Sequence, residues 1–190
     1  MGRVVVSEFV SLDGVMEAPG GEPGYAHTGW VFRYIDQAQI DYKHREVVDA
    51  AALLIGRVTY ESFAGAWPHY RGELGAFADR MNSMPKYVAS STLKDPEWTN
   101  VTVLQGDLAA AVNNLKQEIA GDILVPGSRT LAGFLKRNNL VDEYRLMVFP
   151  IVLGSGERLF QETPDAMGLR FVSSEPMPNG AVVLTYRVES

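Results

Sequence analysis

The chain has 190 residues, 46% of them hydrophobic and 21% charged, with a formal net charge of −6 and no cysteine. That length suits one domain, spanning residues 1–190, with a sizeable core. The composition excludes a disordered chain, a disulfide framework, a thiolate metal site and a cysteine nucleophile, and an acidic balance without a basic run argues against a nucleic-acid partner.

Arg3 to Ser11 reads RVVVSEFVS and is β-rich, a central strand by its valines and its later alternation. Ser7 and Glu8 break it too early for a signal-peptide core, and no run nears the roughly 20 apolar residues of a membrane span, so a cytoplasmic protein is expected. Leu12-Asp13-Gly14 ends the strand, and Glu17 to Gly24, EAPGGEPG, is a loop long enough to be functional. Asp36 to Ala52 is helical, with Ile40, Val47 and Ala51 on an inner face. Leu53-Leu54-Ile55 is a short buried strand. Arg57 to Ala64 begins a helix that Trp67-Pro68 closes, and Gly72 to Asn82 is a further surface helix.

Lys86 to Ala89 is a strand followed by Ser90-Ser91-Thr92, and Val101 to Leu104 is another. Asp107 caps a helix that runs to Ile119. Ile123-Leu124-Val125 is a strand, Pro126-Gly127-Ser128 a turn, and Ser128 to Arg137 a helix. Tyr144 to Leu153 is the longest later strand, and Gly168 to Glu175 with Ala181 to Val188 form a hairpin. The alternation predicts an α/β fold: a mostly parallel sheet, helices on both faces, and an antiparallel C-terminal addition.

Three strand ends carry similar polar punctuation: Gly56-Arg57-Val58-Thr59, Ser90-Ser91-Thr92 and Gly127-Ser128-Arg129-Thr130. In a parallel sheet these ends share one edge, where ligands bind. Two of them open helices, whose free N–H groups attract anions, while glycine admits close backbone approach and arginine offers a fork for phosphate. Taken singly, each is more often an ordinary turn and cap; three at equivalent positions favour one ligand with several phosphates. No G-x-x-x-x-G-K-[ST] occurs, Gly154-Ser155-Gly156 lacks the third glycine of a dinucleotide fingerprint, and there is no G-x-S-x-G elbow. His27, His44 and His69 have no ligand spacing, so no metal is expected.

The segments LLIGRVTYESF, PKYVASSTL and DILVPGSRTLAGFL resemble the cofactor-binding strand ends of dihydrofolate reductases. VVVSEFVSLDGVM and LVDEYRLMVFPIVLGSGERLF resemble the C-terminal reductase domain of the bifunctional deaminase-reductase of riboflavin biosynthesis and its stand-alone relatives. The resemblance spans nearly the whole chain. It implies the dihydrofolate reductase-like three-layer fold and NADPH as cofactor. Arg57 and Thr59 would then face the 2′-phosphate and pyrophosphate, with Gly56 at the strand end. Ser90, Ser91 and Thr92 would line the adenosine end, Gly127, Ser128, Arg129 and Thr130 the pyrophosphate, and Leu12 and Asp13 the nicotinamide. Gly127-Ser128 stands where dihydrofolate reductases carry a glycine pair, and Ser91-Thr92 lacks their usual following arginine. The deaminase half and its zinc ligands have no counterpart here.

The resemblance implies a reductase like that acting on 5-amino-6-(5-phosphoribosylamino)uracil, passing hydride to a small heterocycle or carbonyl compound. The alternative is a protein that keeps the cofactor cleft without the chemistry. No catalytic residue is assigned. Asp13 and Glu46 are candidate substrate contacts, against the plainer reading of turn and helix-surface acids, and Trp30 is a candidate pocket wall, against a packing aromatic. Apolar groups on both faces of Tyr144 to Leu153, near a sheet edge, predict a homodimer that covers the second face.

Overall fold

A computed structural model of the chain describes residues 1–70, 75–161 and 166–189. Its strands are β1 (Arg3–Ser11), β2 (Ala52–Gly56), β3 (Lys86–Ala89), β4 (Val101–Leu104), β5 (Asp122–Pro126), β6 (Glu143–Phe149), β7 (Leu169–Pro176) and β8 (Val182–Val188). Its helices are α1 (Gln37–Asp49), α2 (Arg57–Ala66), α3 (Gly75–Ser83), α4 (Leu108–Glu118) and α5 (Arg129–Arg137), with short 3-10 turns at Trp30–Tyr34 and Trp67–His69. The sheet order is β4-β3-β2-β5-β1-β6-β8-β7. β1 to β6 pair in parallel, and β8 and β7 add antiparallel at one side. This is the expected α/β architecture with its C-terminal hairpin.

Period-two alternation on β1 sorts its side chains between two layers. Val4, Val6 and Val10 pack with Val112 and Leu115 of α4 and Leu131 and Leu135 of α5. Val5 packs on the other face with Val47 of α1, Tyr60 of α2 and Met81 of α3. Asp36 and Asp107 cap α1 and α4, accepting the Gln39 N–H at 2.8 Å and the Ala110 N–H at 3.0 Å. Capping of this kind is worth about 1 kcal/mol.

Some boundaries differ from expectation. The first long helix stops at Asp49, because Ala50 turns extended and Ala52 already belongs to β2. The surface helix is seen from Gly75; its expected start at Gly72 lies outside the described residues. The strand expected over Tyr144 to Leu153 ends at Phe149, since Pro150 has no N–H for the ladder and Ile151 turns back to donate to the Phe149 carbonyl.

Contrary to expectation, that strand neither lies near the sheet edge nor leaves a second face for a partner subunit to cover. β6 lies inside the sheet, between β1 and β8. Its second face, Met147 and Phe149, is covered by Trp30 and Val31 of a 3-10 turn that the sequence reading did not foresee. The Trp30 and Phe149 rings meet edge to face at 5.4 Å.

Candidate functional site

β2 and β5 pair at only two positions, Ala52 with Ile123 and Leu53 with Leu124, and then part. A crevice of about 930 Å³ opens beyond, at the carboxyl edge of the parallel strands. This is the place where open α/β sheets hold ligands, and the volume suits a large one.

One end of the crevice is made of backbone. Gly56 closes β2 and begins α2, with no side chain capping that helix start. Opposite it, Gly127 and Ser128 both have positive φ, 91° and 73°. Ser128 is a non-glycine residue in the left-handed region, a strain of the sort found at ligand clamps. Its Oγ accepts the Leu131 N–H of α5 at 3.4 Å. A Cβ on Gly56 would stand 2.5 Å from Ser128 Oγ. Only glycine lets the two helix starts converge this closely, and the free N–H groups of helix starts favour anions.

The other end is a compact polar cluster. Lys43 Nζ of α1 donates to Ser7 Oγ at 2.6 Å and to Glu46 Oε2 at 2.9 Å, and Ser7 Oγ donates to the same Glu46 oxygen at 2.7 Å. Glu46 Oε1 is buried without a hydrogen bond, with Arg145 Nη1 at 3.8 Å. The ammonium of Lys43 lies over the Phe9 ring at 4.9 Å. Phe63, Trp67, Phe77 and Met81 wall the space, with the Trp67 and Phe77 rings 4.9 Å apart.

Between the two ends lies Glu8, on the opposite face of β1 from Ser7. It is 5% exposed and lines the crevice where β5 has just ended. Its Oε1 accepts the Gly127 N–H at 3.1 Å. Burial pushes its carboxyl up to about 8; Lys43 and the Gly127 N–H pull it down, and Glu46 pushes it further up.

The crevice brings together Glu46, Gly56, Arg57, Thr59, Gly127, Ser128, Arg129 and Thr130. Arg57 pairs with Glu61 at 2.7 Å and Arg129 with Glu157 at 2.7 Å. The other expected residues lie off its lining. Leu12 points outward, 67% exposed. Asp13 is a loop clamp: it accepts from Ser11 Oγ at 2.6 Å and from the N–H groups of Leu153 and Gly154. The Ser11 hydroxyl, helped by those two N–H groups, holds its carboxyl down at about 2. Trp30 is no pocket wall; it is buried in the core, its indole N–H donating to the Glu17 carbonyl. Ser90 stands at the same sheet edge but uses its hydroxyl to accept from Thr92 and Leu93 N–H, and Ser91 and Thr92 are exposed.

The sequence reading passed over Ser7, Glu8 and Lys43. The signal was visible: Ser-Glu in the middle of RVVVSEFVS puts an acid where a strand buried on both faces should be apolar. Among the described residues no group of acids and histidines converges to hold a metal ion, and no helix is long and apolar enough to cross a membrane.

Known proteins share this plan. YyaP, an uncharacterized protein of Bacillus subtilis (strain 168), is 26% identical over 189 residues, covering 97% of this chain and 94% of its own. A putative riboflavin biosynthesis protein from Shewanella sp. PV-4 superposes with a TM-score of 0.73 at 21% identity, each chain covered to 99%. Acinetobacter baumannii RibD superposes with a TM-score of 0.70 at 15% identity, and this chain spans 58% of it. Those structural likenesses establish the shared fold. The RibD C-terminal domain family model matches residues 3–183, almost the entire chain and all of the crevice, so the protein belongs to the RibD C-terminal domain family.

Proposed function

We propose that the protein is an NADPH-dependent reductase that acts on a small heterocycle or carbonyl compound, similar to 5-amino-6-(5-phosphoribosylamino)uracil reductase. The observation that carries this reading is the continuity of the crevice, from the helix-start cradle at Gly56 and Ser128 to the buried cluster of Ser7, Lys43 and Glu46. The cradle suits a pyrophosphate, because the missing Cβ of Gly56 lets the two helix starts converge and α2 begins without a side-chain cap. Arg57 or Arg129 supplies the guanidinium for a further phosphate by exchanging its carboxylate partner for the ligand. When bound, the cofactor supplies hydride. The chain's own residues orient the partners and exclude water with the aromatic wall. Lys43 Nζ, which gives two N–H bonds to Ser7 and Glu46, offers its third to a polar ring or carbonyl.

Calorimetric titration with NADPH, followed by NADPH oxidation with the phosphoribosylaminouracil and other carbonyl or imine acceptors, tests the proposal. Binding followed by turnover supports it. Tight binding without turnover on any acceptor refutes the reductase and leaves a cofactor-binding protein.

A homodimer remains part of this proposal, on different grounds from those of the sequence. β7 is the last strand of the sheet, exposed from Arg170 to Pro176, and Phe171 is 55% exposed. An open, partly apolar edge of eight residues is a template for pairing with a second copy about a twofold axis. Light scattering that returns a monomer near 20.9 kDa at micromolar concentration refutes it.

A further inference from the structure

The acids that line the crevice differ in how they are held. Glu46 is tied to Lys43, and Glu157 to Arg129. Glu17 Oε2 accepts the Glu157 N–H, and Glu22 Oε2 the Gly20 N–H. Glu8 alone among them is buried in the sheet itself, where the hydrogen bond given to it is the Gly127 N–H to Oε1. β5 stops at the register of Ser7, so Glu8 sits just past the last β5 partner of β1, between the helix-start cradle and the Lys43–Glu46 cluster. It therefore stands at the junction of the two ends of the crevice, with one oxygen fixed by backbone and the other left to carry a proton.

We infer that Glu8 is the acid of this site: its carboxyl donates a proton to the substrate nitrogen or oxygen that takes up the electron pair of a reduced C=N or C=O bond. The inference rests on the reductase reading. The reductant is a reduced nicotinamide dinucleotide, which is oxidised as the substrate carbon gains a C–H bond. The π pair moves onto nitrogen or oxygen, an N–H or O–H bond forms there, and the Glu8 O–H bond breaks. Water entering the crevice returns a proton to the carboxylate. The charged groups that face Glu8 are Lys43 and Glu46 from α1, with Arg129 at the start of α5 and the Gly127 N–H before it. Burial outweighs them and keeps the acid protonated through neutral pH, as a general acid needs.

Glu8→Gln is the test, because its amide oxygen still accepts the Gly127 N–H while the transferable proton is gone. Carbon NMR of the glutamate carboxyls in the ligand-free protein should show one group titrating near pH 8 that is missing in Glu8→Gln. With the phosphoribosylaminouracil as acceptor, kcat should fall about 100-fold or more, and the wild-type loss of rate above about pH 8 should disappear. Calorimetric affinity for NADP⁺ should be unchanged, and Glu8→Asp should recover part of kcat. No carboxyl titrating above pH 7 overturns the role of Glu8 whatever the reaction. A wild type that turns over and a Glu8→Gln that matches it, in rate and in pH profile, overturn that role and leave the reductase reading standing. A wild type that reduces no carbonyl or imine acceptor overturns both.

Discussion

Gly56→Ala probes the cradle with one methyl group. The backbone of Gly56 is at φ −80° and ψ 164°, a conformation alanine adopts freely, so any effect is one of space. The new Cβ would lie 2.5 Å from Ser128 Oγ and 3.0 Å from Ser128 Cβ. Rotating the hydroxyl away relieves the first contact but gives up the bond from the Leu131 N–H that caps α5, about 1 kcal/mol. The second contact needs a shift of the Gly127–Ser128 turn, which overpacking puts at about 1–3 kcal/mol. Together the loss is roughly 2–4 kcal/mol, less than the stability of a typical domain, so the variant folds. Thermal unfolding should register this loss, and calorimetry with NADP⁺ should register a weaker complex because the turn has moved. The contact is pairwise, so Ser128→Gly in the same chain should restore most of the stability lost at Gly56. A double-mutant cycle with no coupling between the two positions refutes the proposed convergence of the helix starts.

Arg57→Ala should weaken NADPH more than NADH in parallel titrations, by the 1.5–3 kcal/mol typical of a charge-assisted bond (about 1 kcal/mol less if Glu61 competes well), and equal losses would remove Arg57 from the 2′-phosphate. Gly127→Val should abolish dinucleotide binding and lower the melting temperature, because its φ of 91° is closed to a β-branched residue; normal affinity would make the turn a mere connector. Glu8 also makes stability depend on pH. A carboxyl raised from 4.5 to about 8 on folding contributes stability that is fully present below about pH 4.5 and is lost as pH rises through about 8. The loss is on the order of a few kcal/mol, so denaturant unfolding at pH 9 should find Glu8→Gln more stable than wild type, and the two curves should converge at pH 4; parallel curves would place Glu8 in a solvated setting.

Local pattern was enough for the α/β plan, because strand and helix periods are distinct from Arg3 to Arg137 and α1, α2, α4 and α5 each start at a capping residue or a glycine. It also pointed to Gly56, Arg57, Thr59 and Gly127 to Thr130, since turns at the ends of parallel strands must share an edge. Local pattern could not say which side chains that edge gathers. Glu46 looks like one acid among several on α1, and only packing of α1 on β1 buries it against Ser7 and Lys43. From sequence, Trp30 is a site candidate as an aromatic just after Gly29, and Asp13 as a strand-end acid that the family resemblance sets beside the nicotinamide. Tertiary contacts gave one to the core beside Phe149 and the other to the N–H groups of Leu153 and Gly154, 140 and 141 residues away. The cover on β6 and the weakened acidity of Glu8 have the same kind of origin. Both depend on what distant parts of the chain lay against a strand, the 3-10 turn at Trp30–Tyr34 over β6 in one case and burial that outweighs the Gly127 N–H at Glu8 in the other, and no spacing along β1 or β6 encodes those neighbours.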